Sequence, residues 1–245
     1  LQDYILFHPS PVDKKYKYDF INNAAAEVTI PYDKETQLDV IKFKPENDTL
    51  NKGVVLYFHG NRENISWYAK YAPGFTNKGY EIWMIDYPGF GKSTGTFTEQ
   101  RRYEYALQFY KLARSKYKPA DIIIYGKSLG TCLATQLASI RDCKYLVLET
   151  PCYSMTSLVA HYFPVYPVNR MLHYHFPNNE YIKNVKAPIL ILHGTDDGVV
   201  PYSNAEKLKP LLKPEDKFVT IEGGSHNNLN DFTLFRRQLD SLLTR

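Results

Sequence analysis

The sequence predicts an α/β fold: a mostly parallel central sheet with antiparallel strands at its N-terminal edge and helices on both faces. Three observations carry this. From residue 53 onward, short continuous apolar runs alternate with segments of helical periodicity, and unbroken strand–helix alternation builds a parallel sheet covered on both sides. Upstream, residues 27–31 and 37–44 alternate apolar and polar side chains, the period of an antiparallel edge pair. Finally, Ile122-Ile123-Ile124 runs directly into Tyr125-Gly126-Lys127-Ser128-Leu129-Gly130, a buried strand that turns sharply into a helix.

The elements follow in order. The edge strands form a hairpin around 32–36. Residues 54–58 make the first buried strand, 66–78 a helix and 80–85 the next strand, followed by a Gly- and Pro-rich turn over 86–95. A helix over 98–117 sets Tyr103, Ala106, Tyr110, Ala113 and Tyr117 on one face. Strands come at 122–125, 144–148 and 188–192, a helix near 204–212, and a last strand at 217–221. The closing helix carries Phe232, Phe235, Leu239 and Leu242 on its inner stripe. One stretch breaks the rhythm. Residues 150–187 hold Tyr153, Tyr162, Phe163, Tyr166, Tyr174 and Phe176 together with Pro151, Pro164, Pro167 and Pro177. That is too long for a plain connection and too aromatic for a solvated loop. It reads as a short lid of one or two helices inserted after the sixth strand. No repeat or low-complexity linker interrupts the chain, so residues 1–245 are expected to form a single domain.

Composition narrows the function. At 245 residues the chain can bury a sizeable core. Its net charge of +4 comes with no block of five like charges, which argues against a nucleic-acid partner. No apolar run approaches the ~18 residues of a membrane span. The chain begins at Leu1 rather than Met, and any membrane attachment is expected from a segment outside it. The three cysteines, Cys132, Cys143 and Cys152, form no C-x-x-C, against a disulfide framework or a zinc site. Cys143 and Cys152 lie at opposite ends of one expected strand, too far apart to pair. Cys132 reads as a core filler.

The chemistry centres on Ser128. Gly-x-Ser-x-Gly between a strand and a helix is a nucleophile elbow, which lifts the serine to the tip of the sheet. Gly126 and Gly130 flank it because a Cβ there would meet neighbouring backbone. The helix from about Leu129 to 140 aims its first N–H groups at the serine. Serine attacks only with a base to take its proton and an acid to orient that base, in the chain order Ser, Asp or Glu, His. Two downstream loops supply them: His193-Gly194-Thr195-Asp196-Asp197-Gly198-Val199-Val200-Pro201 and Glu222-Gly223-Gly224-Ser225-His226-Asn227-Asn228. Both follow parallel strands at their carboxyl ends, where such sheets place their sites. On residue chemistry alone Asp196 and Asp197 are equivalent. His226 fits the order, whereas His8, His59, His161, His173, His175 and His193 do not.

Several other patterns lead elsewhere. Gly91-Lys92-Ser93 and Gly126-Lys127-Ser128 resemble the end of a phosphate-binding loop, but Asp86 and Asp121 stand where its first glycine belongs. His173-x-His175 lacks further ligands at metal-binding spacing. Asn47-Asp48-Thr49 and Asn64-Ile65-Ser66 match the glycosylation acceptor pattern, a triplet common by chance.

Phe58-His59-Gly60-Asn61, Asp86-Tyr87-Pro88-Gly89-Phe90-Gly91, the elbow, the 193–201 block and Gly223-Gly224-Ser225-His226 occur in that order. In this the chain resembles the serine-nucleophile α/β-hydrolases. It is most similar to their compact, small-lid serine-aminopeptidase-like group, often membrane-anchored, whose relatives include depalmitoylating thioesterases. The resemblance implies the α/β-hydrolase fold, Ser128 as nucleophile, Asp197 as acid and His226 as base. One oxyanion-hole donor is the backbone N–H of Leu129, after the nucleophile; by the family pattern the other is that of Asn61. No cofactor or metal is implied, and the substrate is a small molecule or acyl compound. Arg62 stands where it could reach a substrate anion or simply form a surface ion pair. Tyr153, Tyr162, Phe163 and Tyr166 are candidates for an acyl pocket, although aromatic lids also pack on themselves. Ester or thioester cleavage through an acyl-enzyme is expected. The alternatives are a peptidase using the same residues and a non-catalytic binding module on the same fold.

Overall fold

In the computed structural model, which describes Gln2 and residues 6–20, 25–45 and 51–244, the apolar runs become one eight-stranded sheet. The strands are β1 (Ser10–Pro11), β2 (Ala25–Pro31), β3 (Gln37–Phe43), β4 (Gly53–Phe58), β5 (Tyr80–Ile85), β6 (Phe90–Gly91), β7 (Ile122–Lys127), β8 (Tyr145–Glu149), β9 (Ile189–Gly194) and β10 (Lys217–Ile221). The large sheet runs β10-β9-β8-β7-β4-β5-β3-β2, and β1 pairs with β6 apart from it. From β10 to β5 every pairing is parallel. The expected antiparallel hairpin, β2 and β3, closes the edge.

Burial explains the pattern. Every residue of β4, β5, β7 and β9 is buried, and successive side chains feed opposite faces. Val54, Leu56 and Phe58 join one core and Val55 and Tyr57 the other. The chain steps from β4 to β5 on one side and then crosses back to β7 on the other. The strand order therefore reverses between β4 and β7, the switch point at whose carboxyl ends such sheets place their sites.

The helices are α1 (Ile65–Tyr68), α2 (Pro73–Thr76), α3 (Glu99–Arg114), α4 (Gly130–Ile140), α5 (Met155–Tyr162), α6 (Val168–Met171), α7 (Asn178–Tyr181), α8 (Tyr202–Ala205) and α9 (Thr233–Leu243). The single helix expected over 66–78 is instead α1, a 3-10 turn (Ala69–Tyr71) and α2. Pro73 has no N–H to bond backward, and it opens α2 at the first position, where none is needed. Likewise 204–212 divides into α8 and a 3-10 segment holding Pro210. The helix over 98–117 keeps its predicted face but ends at Arg114. Thr98 caps its start, accepting from the Arg101 N–H at 3.2 Å.

The lid contains three short helices, α5 to α7, and a 3-10 turn (Ile182–Asn184) rather than one or two helices. Its aromatic residues divide. Tyr174 and Phe176 are buried and pack with Phe7 and Tyr103. Tyr162, Phe163 and Tyr166 are 48, 50 and 57% exposed. Of the glycosylation triplets, Asn47-Asp48-Thr49 lies outside the described residues. Asn64 is buried and committed: it caps α1 by accepting from the Ser66 N–H (3.0 Å), and its amide donates to the Ser10 carbonyl (3.1 Å).

Asp39 on β3 is buried and accepts a 2.8 Å hydrogen bond from the Tyr18 hydroxyl. Burial pushes its carboxyl up to about 7; the Tyr18 bond opposes this, while the charges of Glu27 and Asp86 add to it and Lys92 subtracts. The folded protein thus holds a proton that the unfolded chain releases near pH ~4. This contribution to stability is full below that value and is lost as pH rises through about 7. The stability difference between wild type and Asp39→Asn should therefore shift against the wild type across that window. Melting temperatures compared at each pH check this, and a constant difference would contradict it.

Candidate active site

Ser128 leaves β7 with φ at +51°, a left-handed conformation that a non-glycine residue holds only where its surroundings impose it. Those surroundings are tight. Its N–H donates to the Glu149 carbonyl at 2.8 Å. A Cβ on Gly126 would lie 2.6 Å from the Gly130 carbonyl oxygen, and one on Gly130 would lie 2.0 Å from that of Phe58. Neither glycine can carry a side chain without moving α4 off the sheet.

The loops after β9 and β10 bring their side chains to this tip. The Ser128 hydroxyl lies 2.9 Å from His226 Nε2, and His226 Nδ1 lies 2.8 Å from Asp197 Oδ2. A carboxylate only accepts, so Nδ1 carries the proton and Nε2 is free to accept from the serine. Asp197 Oδ1 takes the N–H groups of Val199 and Val200, each at 2.8 Å. Burial pushes the Asp197 carboxyl up, but the His226 hydrogen bond and charge, with the two N–H groups, outweigh it and hold the group below its ordinary value. The carboxylate therefore stays charged. The rival Asp196 is exposed, and among the described residues its carboxylate meets the Thr195 hydroxyl at 3.1 Å.

Two other histidines support the loops. His193 is fully buried and donates through Nε2 to the Val200 carbonyl (2.8 Å). Burial lowers its basicity despite nearby Asp197. His59 donates through Nδ1 to the Gly60 carbonyl (2.7 Å), with Nε2 3.1 Å from Asp86 Oδ1. In the lid, His175 Nδ1 lies 3.1 Å from the Thr156 hydroxyl. Among the described residues no three metal-ligating side chains converge.

The loop after β4 borders the serine, since a Cβ on Gly60 would lie 3.5 Å from that of Ser128. The Tyr68 hydroxyl braces this loop, accepting from the Gly60 N–H (3.1 Å) and donating to the Arg62 carbonyl (3.0 Å). The Asn61 side-chain amide donates to the Leu6 carbonyl at 2.6 Å. With the Gly60 N–H occupied, the N–H groups of Asn61 and Leu129 remain, and neither donates a hydrogen bond among the described residues.

The residues named for substrate contact are scattered. The Tyr162 hydroxyl is 3.0 Å from the carbonyls of both Gly198 and Val199, tying α5 to the Asp197 loop. Tyr153 is half-buried and its N–H donates to Asn204 Oδ1 at 2.9 Å. Phe163 and Tyr166 meet edge to face, ring centres 6.3 Å apart. Arg62 is exposed beside the Asn61 loop.

Sequence reasoning missed two things. The neighbouring Cys152, with burial, pushes the Cys132 thiol well above its ordinary value. It also missed a buried ion pair between Lys127 and Glu149, with the Tyr125 hydroxyl on the same carboxylate. The signal for the pair was present: Lys127 and Glu149 end adjacent strands in register, an opposite-charge cross-strand match.

The model of the serine aminopeptidase (S33) family matches residues 49–181, more than half of the chain. This chain belongs to that family of α/β-hydrolases. A general α/β-hydrolase family model also matches residues 154–243. The chain is 32% identical over 176 residues to an uncharacterised protein of Mycobacterium tuberculosis, covering 71% of this chain and 63% of that one. To human alpha/beta hydrolase domain-containing protein 17B it is 27% identical over 197 residues, covering 79% and 67%. The chain thus spans less than two thirds of the mycobacterial relative's length. An esterase of Pyrococcus furiosus superposes with a TM-score of 0.75 over 98% of this chain and 97% of its own, at 16% identity; that likeness is one of fold.

Proposed function

We propose that the protein is a serine hydrolase cleaving carboxylic ester or thioester bonds through an acyl-enzyme. The observation that carries this reading is the unbroken hydrogen-bonded chain Ser128–His226–Asp197. Ser128 attacks the carbonyl carbon while His226 Nε2 takes its proton. Asp197 stabilises the imidazolium that forms and keeps its ring in place. The Asn61 and Leu129 N–H groups receive the oxyanion. His226 returns the proton to the leaving alcohol or thiol. Water then attacks the acyl-enzyme with the same base, releasing the acid and restoring Ser128.

The fold is shared with an esterase. The family description would also suit an aminopeptidase, which needs an acidic anchor for the substrate amine. Between Ser154 and Ala187 the only acidic residue is Glu180, and it is exposed. A panel of p-nitrophenyl esters and acyl thioesters of increasing length, run beside amino-acid p-nitroanilides, tests the reading. Esters or thioesters should turn over, with kcat/KM rising by up to roughly fourfold per methylene that the lid covers, the equivalent of ~0.8 kcal/mol. Turnover of the anilides alone would overturn it.

A further inference from the structure

Beneath the serine lies a charged pair that none of these steps uses. The side chains of Lys127 and Glu149 are each 2% exposed. They face one another at the ends of β7 and β8. The Tyr125 hydroxyl also donates to Glu149, and its ring stacks on Tyr57 with centres 4.9 Å apart. Lys127 Nζ makes one further bond, to the backbone carbonyl of His226 at 3.2 Å, across 99 residues of chain.

That bond differs from the others holding the histidine loop. The Gly224 carbonyl accepts from the Asp196 N–H (2.9 Å), the Gly223 N–H donates to the Thr195 hydroxyl (2.9 Å), and the Ser225 N–H donates to Asn228 Oδ1 (2.7 Å). These tie the loop to itself and to the loop carrying the acid. Besides the Ser128–His226 bond, the Lys127 contact is what ties it to the elbow among the described residues. Burying two charges is expensive, and an apolar pair would fill the same space at lower cost. An apolar pair would not reach the His226 carbonyl.

We propose that Lys127, itself fixed by Glu149, is a positioning residue that sets the His226 backbone at the height where Nε2 meets the Ser128 hydroxyl. This rests on His226 acting as the base. Lys127 directly precedes Ser128, so one residue registers both partners: the serine through the chain and the histidine through its carbonyl. Misplacement of a reacting group by about 1 Å can cost ~10²-fold in rate.

The test is the double variant Lys127→Met/Glu149→Gln, which leaves no unpaired charge and keeps an acceptor for Tyr125. It should stay folded, lower kcat on p-nitrophenyl acetate by about 10²-fold and leave KM nearly unchanged. Lys127→Arg, which keeps a cationic donor, should recover most of the loss. In a His226→Ala background the double substitution should reduce the residual rate no further. An unchanged kcat, or the same further fall without His226, would overturn the proposal. If the methionine variant does not fold, Lys127→Gln/Glu149→Gln carries the same test, since its amides can bond each other but the shorter arm leaves the histidine carbonyl. A second readout is independent of turnover. The proton NMR signal of the His226–Asp197 N–H should be sharp in the wild type and broadened in the double variant, and an unaltered signal would also overturn the proposal. Should the wild type hydrolyse nothing, the functional reading fails while this signal still decides the positioning claim.

Discussion

Ser128→Ala is expected to lower kcat/KM on p-nitrophenyl acetate by on the order of 10⁴- to 10⁶-fold. In the proposed mechanism this hydroxyl forms the acyl-enzyme, and what remains without it is the contribution of the proposed oxyanion donors and binding. Melting temperature should hardly change. Among the described residues the removed oxygen bonds His226 alone, the backbone bond from residue 128 to the Glu149 carbonyl survives, and alanine inherits the same φ of +51°. A folded variant retaining a tenth or more of wild-type activity would exclude Ser128 as nucleophile.

Asp197→Asn is expected to cost roughly 10⁴-fold, and the direction follows from the loop. The N–H groups of Val199 and Val200 both point at Oδ1, so an asparagine turns its carbonyl oxygen toward them. Its NH₂ then faces His226 Nδ1. Two donors cannot pair, so the imidazole moves its proton to Nε2 and can no longer accept from Ser128. Asp196→Asn, on an exposed side chain, should leave activity within a few-fold of wild type. Initial rates of the two variants on one ester separate the acids, and equal losses would contradict this assignment.

Much of this geometry is legible in the sequence because its causes are local. Apolar runs such as Val54-Val55-Leu56-Tyr57-Phe58 have little choice but to be strands buried on both faces, and Lys217–Ile221 falls where its pattern puts it. Gly126 and Gly130 announce the elbow because contacts of 2.6 and 2.0 Å forbid any other residue. Asp196 and Asp197 are chemically identical on paper. What separates them is the turn that folds the Val199 and Val200 N–H groups back onto one carboxylate, and that is a property of backbone geometry. The lid aromatics mislead for a related reason: Tyr174 and Tyr166 are the same residue type, but one packs on Phe7 and the other projects outward. In the sequence Lys127 stands out only as part of a Gly-Lys-Ser triplet resembling the end of a phosphate-binding loop. Its partner is 22 residues away and meets it only through the register of two strands.

Covalent labelling tests the claim that His226 and Asp197 activate Ser128. The protein is treated with a fluorophosphonate probe, its intact mass recorded and the modified peptide sequenced. A single adduct is predicted at Ser128, absent from Ser128→Ala and strongly slowed in His226→Ala and Asp197→Asn. An adduct on another residue, or native protein that stays unlabelled while remaining folded, would contradict the claim.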